Sequence, residues 1–316
     1  MNYERIKTFL AKKIDLFLAY PALIWQAYFL YVPLLVMAWC SFLDLETYTL
    51  TCRHYTALYD AMYFEIIIRS FCYAFTTSVV CLLLGYPLAY FLALRVKKYR
   101  LPLLFLLILP SWTNIIVQMY AWFFLLQKNG ILYKVLLFLH IINPETRLLN
   151  TTGATLFGLI YCFLPFMTLP LYAVIEKLDT RLLEASADLG ATKTDTFWRV
   201  IFPLSWSGIV AGTLLVFIPT FGEFAIPELL GGSKRLVWGT LIVNKFIIDR
   251  DFSAGAALTY LGLGLFLGAA ILLFLLAKLH GLIQYLVLDY RRKKEQKLMI
   301  IIKRTKKETY DAGDDL

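Results

Sequence analysis

Glu184-Ala185-Ser186-Ala187-Asp188-Leu189-Gly190, followed by Val200-Ile201-Phe202-Pro203, is a polar stretch of helix-like spacing held between two long apolar runs. Backbone and charged groups cannot be left unpaired in hydrocarbon, so a stretch of this kind marks a loop at a membrane surface. The runs that flank it set the fold class. Six of them follow one another: Leu16–Phe42, Ile66–Leu94, Leu101–Leu126, Thr152–Ile175, Ser207–Leu230 and Ala254–Ala277. About twenty apolar residues carry a helix across about 30 Å of hydrocarbon. The chain is 60% hydrophobic and 17% charged, with mean hydropathy +0.68. A soluble domain is roughly half apolar and a quarter charged. A membrane β-barrel would alternate over segments of about ten residues, whereas these runs are continuous. The expected class is an all-α membrane protein with six transmembrane helices.

Lysine and arginine fix the expected orientation. With the N-terminus inside, the inner segments hold 22 of the 31 Lys and Arg residues, among them Arg5 to Lys13, Arg95 to Arg100, Lys177 to Arg199 and the tail after Lys278. Both termini and the loop from Glu176 to Trp206 are then cytoplasmic. The net charge of +9 reads as topology and gives no reason to expect nucleic acid. Leu16–Phe42 is too long for the core of a signal peptide and lacks a small-residue cleavage site, so it reads as a retained span. The expected organisation is a cytoplasmic segment 1–15, a first span and outer loop 16–65, a core 66–277 containing the loop 176–206, and a basic tail 278–316. Arg291–Lys294 suit anionic membrane lipid or a plain stop-transfer anchor. The five cysteines offer no loop pair for a disulfide. His54, His140 and His280 are isolated, so no metal site and no catalytic group is expected.

The loop can be read residue by residue. Asp179 or Thr180 can cap a helix whose first turns hold Glu184. Gly190 suits the left-handed stop after it. Thr192 or Thr194 can cap a second helix over Asp195 to Ile201, which Pro203 ends. The small residues Ala185, Ser186 and Ala187 would let a partner approach closely. No G-x-x-x-x-G-K-[ST] loop occurs, so this chain does not itself hold ATP by such a motif.

The spacing E-A-S-x3-G-x9-V-I-F-P resembles the E-A-A-x3-G-x9-I-x-L-P pattern of the membrane subunits of bacterial ABC importers, with three mild replacements. The resemblance implies a type I ABC importer permease fold with cytoplasmic coupling helices. It implies that Glu184, Ala185, Ser186, Asp188, Gly190 and Pro203 form the part that docks on a separate ATPase. Leu109-Pro110-Ser111-Trp112-Thr113-Asn114 resembles the spermidine/putrescine branch, as does the run from Phe217 through Glu223 and Glu228 to Gly232. That similarity implies a polyamine cargo. It implies as partners an ATPase dimer that uses ATP and magnesium, a second homologous permease subunit and a periplasmic polyamine-binding protein. No cofactor is expected on this chain.

Independently of any family, Glu223 and Glu228 are out of place in an apolar run. Charge at the centre of a span costs about 2.5–3.5 kcal/mol on insertion scales, and a cationic cargo would offset that cost. On a straight helix the two would point about 140° apart, so both face one path only if Pro219 or Pro227 breaks the helix. Trp112, Tyr120 and Trp122 suit either cation–π faces or an interfacial belt. Asn114 and Gln118 suit a polar lining or helix–helix hydrogen bonds. An importer for another small solute, and an ATP-independent carrier or channel, are the alternatives. Glu223 and the shortage of basic residues inside the spans speak against an anionic cargo for the first, and the second would not need the loop.

Overall fold

The computed structural model describes residues 3–44, 49–56, 60–96, 98–232, 236–268 and 271, with side chains from residue 20 onward. Helix α1 is Tyr3–Phe42. It starts ahead of the apolar run because neither glycine nor proline interrupts residues 3–20. Its apolar part, Tyr20–Phe42, keeps its side chains almost wholly outside the fold of this chain. A two-residue ribbon, β1 Leu43–Asp44 with antiparallel β2 Thr49–Leu50, and a short α2, Arg53–Thr56, follow. The Tyr55 hydroxyl donates to Ser41 at 2.8 Å and folds this piece back on α1.

Helix α3, Ala61–Leu94, begins earlier than its apolar run because the Asp60 carboxylate accepts from the Met62 amide. The third expected span is not one straight crossing. Helix α4, Arg100–Ile108, tightens into a 3-10 turn at Leu109–Trp112, and α5, Ile115–Leu126, restarts after it. The segments Arg100–Trp112 and Ile115–Phe138 lie 91° apart, the second including α6, Ile131–Phe138. Pro110 cannot donate to the helix ladder. Asn114 then caps the new helix, its side-chain oxygen accepting from Ile116 N at 2.8 Å.

Helix α7, Thr152–Ile175, is the centre of the fold, and α3 and α11, Trp206–Gly222, pack along it. Apolar helices in lipid gain nothing from burying apolar surface against each other, so close approach at small residues carries the association. A Cβ on Gly212 of α11 would stand 2.8 Å from Met167 Sδ, and one on Gly158 of α7 would stand 2.6 Å from Leu230 Cδ1. Neither site has room for a side chain.

The fifth expected span also differs from Ser207–Leu230. Helix α11 stops at Gly222, residue 223 is extended, and the chain re-enters a wide π turn at Pro227–Gly231. An α-helix running on through Pro227 would drive its ring into the carbonyl of Glu223, four residues back. Helix α12, Trp238–Val243, seals the break. A Cβ on its Gly239 would lie 2.2 Å from the Gly222 carbonyl oxygen.

The chain divides into Met1–Thr259 and Tyr260–Leu316. An apolar helix, Phe252–Gly268, stands where the sixth span was expected. The rest of that span and the tail, Arg291–Lys294 included, lie outside the described residues. Gly158→Val should overpack the crossing and destabilise the fold by about 1–3 kcal/mol, seen as a lower melting temperature of the detergent-solubilised complex. Gly153→Ala, whose added Cβ would meet only Thr151 Oγ1 at 3.8 Å, should leave that temperature unchanged.

Candidate functional site

The loop after α7 folds as two helices around a glycine. Helix α8, Thr180–Asp188, is capped by Asp179, whose carboxylate accepts from Arg181 N at 2.9 Å. Gly190 has φ +80°, the left-handed stop that the sequence asks for. Helix α9, Lys193–Thr196, opens on a capping box in which Thr192 and Asp195 bond each other's backbone amide. The Thr192 hydroxyl donating to Asp195 holds that carboxyl below its ordinary range.

Pro203 does not end the second helix, as had been expected. A π turn at Phe197–Ile201 leads into α10, Phe202–Leu204, and the stop falls at Ser205. The wider π turn moves the preceding carbonyls away from the proline ring, so the helix runs past it. Lys193–Leu204 then meets Trp206–Gly222 at 63°.

Glu184, Ala185, Asp188 and Gly190 are exposed on this hairpin, and Leu189 is 89% exposed. Ser186 turns the other way. Its hydroxyl bonds the Thr196 hydroxyl at 2.9 Å and clasps α8 to α9. The second half of the hairpin is anchored by residues that loop spacing does not reveal. The Tyr86 hydroxyl of α3 meets the Ser205 hydroxyl at 2.8 Å in a buried contact. Phe197 and Phe202 pack 5.5 Å and 6.1 Å from the Tyr86 ring, and Phe197 lies 6.2 Å from Tyr90. The one available signal was the pair Tyr86 and Tyr90, one helical turn apart beside Pro87. Arg100 pairs with Glu176 at 2.7 Å and lies over the Tyr172 ring at 5.9 Å, tying the start of α4 to the end of α7.

The second group of expected residues gathers at the two helix breaks. Glu223 sits half-buried at the end of α11, and its Oε1 accepts from Ala225 N at 2.9 Å. A helix C-terminus carries partial negative charge, so carboxylate and helix end attract the same sign of ligand. Glu228 is exposed in the π turn beyond. The break falls at Glu223 and Phe224, and Glu228 lies beyond it in the turn that starts at Pro227.

At the other break, Trp112 is 73% exposed with its ring edge-on to Phe105 at 5.6 Å. Tyr120 is exposed beside Phe123. Asn114 spends its side-chain oxygen on the α5 cap, and Trp122 packs edge-on against Phe157 and Tyr161 at 4.6 Å and 5.3 Å. Gln118 fastens the break, its Nε2 donating to the Pro110 carbonyl and the Thr113 hydroxyl. Two further acids have structural partners: Asp249 pairs with Lys245 at 2.8 Å, and Asp251 accepts from Ala254 N at 2.9 Å.

This arrangement of bent helices and an exposed inter-helix hairpin has known counterparts. The family model for the binding-protein-dependent transport system inner membrane component matches residues 85–292. The spermidine/putrescine transport system permease protein PotB of Escherichia coli K12 is 42% identical over 255 residues, covering 79% of this chain and 92% of that protein. PotB of Haemophilus influenzae is 40% identical, with 79% and 88% covered. The inner membrane ABC transporter permease protein YdcU of E. coli K12 is 33% identical, with 75% and 81% covered. Among solved structures, a bacterial ABC transporter that imports alginate is 20% identical and superimposes with TM-score 0.59 over 85% of this chain and 95% of its own. A second structure of an alginate transporter, in complex with a periplasmic protein carrying an alginate pentasaccharide, gives TM-score 0.61 at 20% identity, with 85% and 94% covered. At that identity the likeness is one of fold, and the fold is that of a type I ABC importer permease. The relatives are transport subunits, not enzymes. The chain belongs to the binding-protein-dependent transport system inner membrane components, multi-pass proteins of the inner membrane.

Proposed function

We propose that this chain is the membrane-spanning subunit of an ATP-driven importer for spermidine or putrescine. The observation that carries the reading is Glu223, a carboxylate at a helix C-terminus inside a broken span, in a chain 42% identical to a spermidine/putrescine permease. A cation is the ligand that such a site would stabilise. Glu228, Trp112 and Tyr120 border the same route, and Asn114 shapes its wall by capping α5.

Both termini are cytoplasmic, as the lysine and arginine distribution requires, and the hairpin then faces the cytoplasm. Glu184, Ala185, Asp188 and Gly190 meet the ATPase dimer, while Ser186 keeps the hairpin rigid. ATP with magnesium is used by that dimer. A periplasmic polyamine-binding protein delivers the cargo, and a second homologous permease completes the path within membrane lipid.

The lever runs as follows. ATP closure moves α8, the Ser186–Thr196 clasp carries α9 with it, and the Tyr86–Ser205 contact passes the displacement to α3 and α11. Pro203 lies in the stiff segment just before the 63° bend. The energy comes from the partner, and this chain supplies lever and path.

Glu184→Lys should abolish co-purification with the ATPase while the permease still reaches the membrane. Retained association and transport would sink the docking assignment. Glu223→Gln removes a charge-assisted contact of about 1.5–3 kcal/mol, so polyamine uptake should fall roughly tenfold or more with complex assembly intact. Uptake at the wild-type rate in membrane vesicles would show that the path lies elsewhere. Tyr86→Phe deletes one buried hydrogen bond, a loss of about 1 kcal/mol. It should lower cargo-stimulated ATP hydrolysis more than basal hydrolysis, and equal loss of both would count against the lever.

A further inference from the structure

The two helix breaks reach α7 within one turn of each other. A Cβ on Gly158 would lie 3.3 Å from Met119 Sδ of α5 and 2.8 Å from Ile226 Cγ2 of the segment after Glu223. Cys162 lies one turn further along the same face of α7. Gln118 adjoins Met119, and Glu223 lies three residues before Ile226, so both side chains come to the level of Cys162. The contact agrees: the Cys162 thiol donates to Gln118 Oε1 at 3.7 Å.

The amide orientation is fixed by chemistry. The Pro110 carbonyl can only accept, so Nε2 of Gln118 faces the break and Oε1 faces α7. A neutral oxygen thus meets a thiol, which is a weak donor, at the level of α7 to which the register from Ile226 brings the Glu223 carboxylate. An ammonium, with three N–H groups, is a far better partner for that pair of acceptors.

We propose that Gln118 Oε1 and Glu223 together hold a primary ammonium of the cargo, with the Cys162 thiol standing in at Oε1 when the path is empty. This rests on the polyamine reading above and adds the residues that recognise the cargo's end group. The same atoms set a specificity. A quaternary ammonium has no N–H to donate, so it would meet the charge of Glu223 and leave Gln118 unpaired. Gln118 therefore has two jobs on opposite atoms: Nε2 braces the break, and Oε1 receives cargo.

The test uses the assembled importer, with its partner subunits, in membrane vesicles. Alkylation of Cys162 by N-ethylmaleimide is timed by mass spectrometry of its peptide, with and without spermidine or the bis-quaternary hexamethonium. Spermidine should slow the labelling, and hexamethonium should not. Gln118→Met should raise the half-protecting spermidine concentration about tenfold. Gln118→Glu keeps an acceptor at the same place and should not raise it.

The inference is overturned if Cys162 is never labelled, if spermidine fails to slow labelling, or if hexamethonium protects equally. It also falls if the Met and Glu variants behave alike, since Gln118 would then act only through Nε2. Uptake of labelled spermidine by the same vesicles separates the two levels. If wild-type vesicles take it up while protection fails, this inference alone is lost; if they take up none, the polyamine reading falls with it.

Discussion

No water is available in hydrocarbon to satisfy a backbone group that leaves its helix, and every break in this chain answers to that constraint. Pro110 and Pro227 force two of the spans to stop partway. Each stop survives because a side chain takes over the backbone's partners. Asn114 caps the restarted α5, Gln118 holds the Pro110 carbonyl, and Glu223 accepts from the Ala225 amide. The polar residues that interrupt the apolar runs are thus the repair of the breaks. Once present, they supply the polar surface from which a path can be made.

The same constraint explains why α7 is central. Broken segments have few ladder bonds of their own, so they need a continuous helix to lie against. Helix α7 is continuous from Thr152 to Ile175 despite Pro165 and Pro170. Gly158 lets both broken segments reach its backbone, and Met167 receives Gly212 of α11 on another side. Rigid support on one helix, with breaks on its neighbours, concentrates motion where the breaks are. It also connects them to the hairpin, because α3 and α11 are held to the hairpin's second half by Tyr86 and Ser205.

Much of this was legible in the sequence, and the missing part has a physical pattern. Features set by a few neighbouring residues came through. The caps at Asp179 and Thr192, the glycine stop at Gly190 and the start of α7 follow from local chemistry, and the structure has them all. The polar break at Glu223 was foreseen as a condition on a shared path, though not its position. What was not legible depends on distant residues. The 91° turn at Thr113–Asn114 needed knowledge that Gln118 would bridge it. The reach of the second hairpin helix beyond Pro203 needed the π turn at Phe197–Ile201. Ser186 reads as a small docking residue, and its bond to Thr196 across the hairpin was not legible because it depends on a residue ten positions away. The edge-on contacts of Trp122 with Phe157 and Tyr161 likewise depend on residues more than thirty positions away.

The charges of the hairpin and of the broken span obey different rules, and that difference separates the proposed lever from the proposed cargo site. Arg199 of the hairpin is exposed and lies 3.9 Å from the half-exposed Asp195. Pairs of that kind contribute about 0–1 kcal/mol and are screened by salt. They shape the hairpin without storing energy in it. Glu223 is half-buried at the end of α11, so in the proposed site an ammonium would exchange its hydration for a carboxylate, a helix end and an amide oxygen. Such a site must release what it holds, and the weak thiol contact of Cys162 is suited to that. In the proposed site it would let Gln118 relax onto a neighbour as the cargo leaves, which avoids an unpaired amide oxygen within the span.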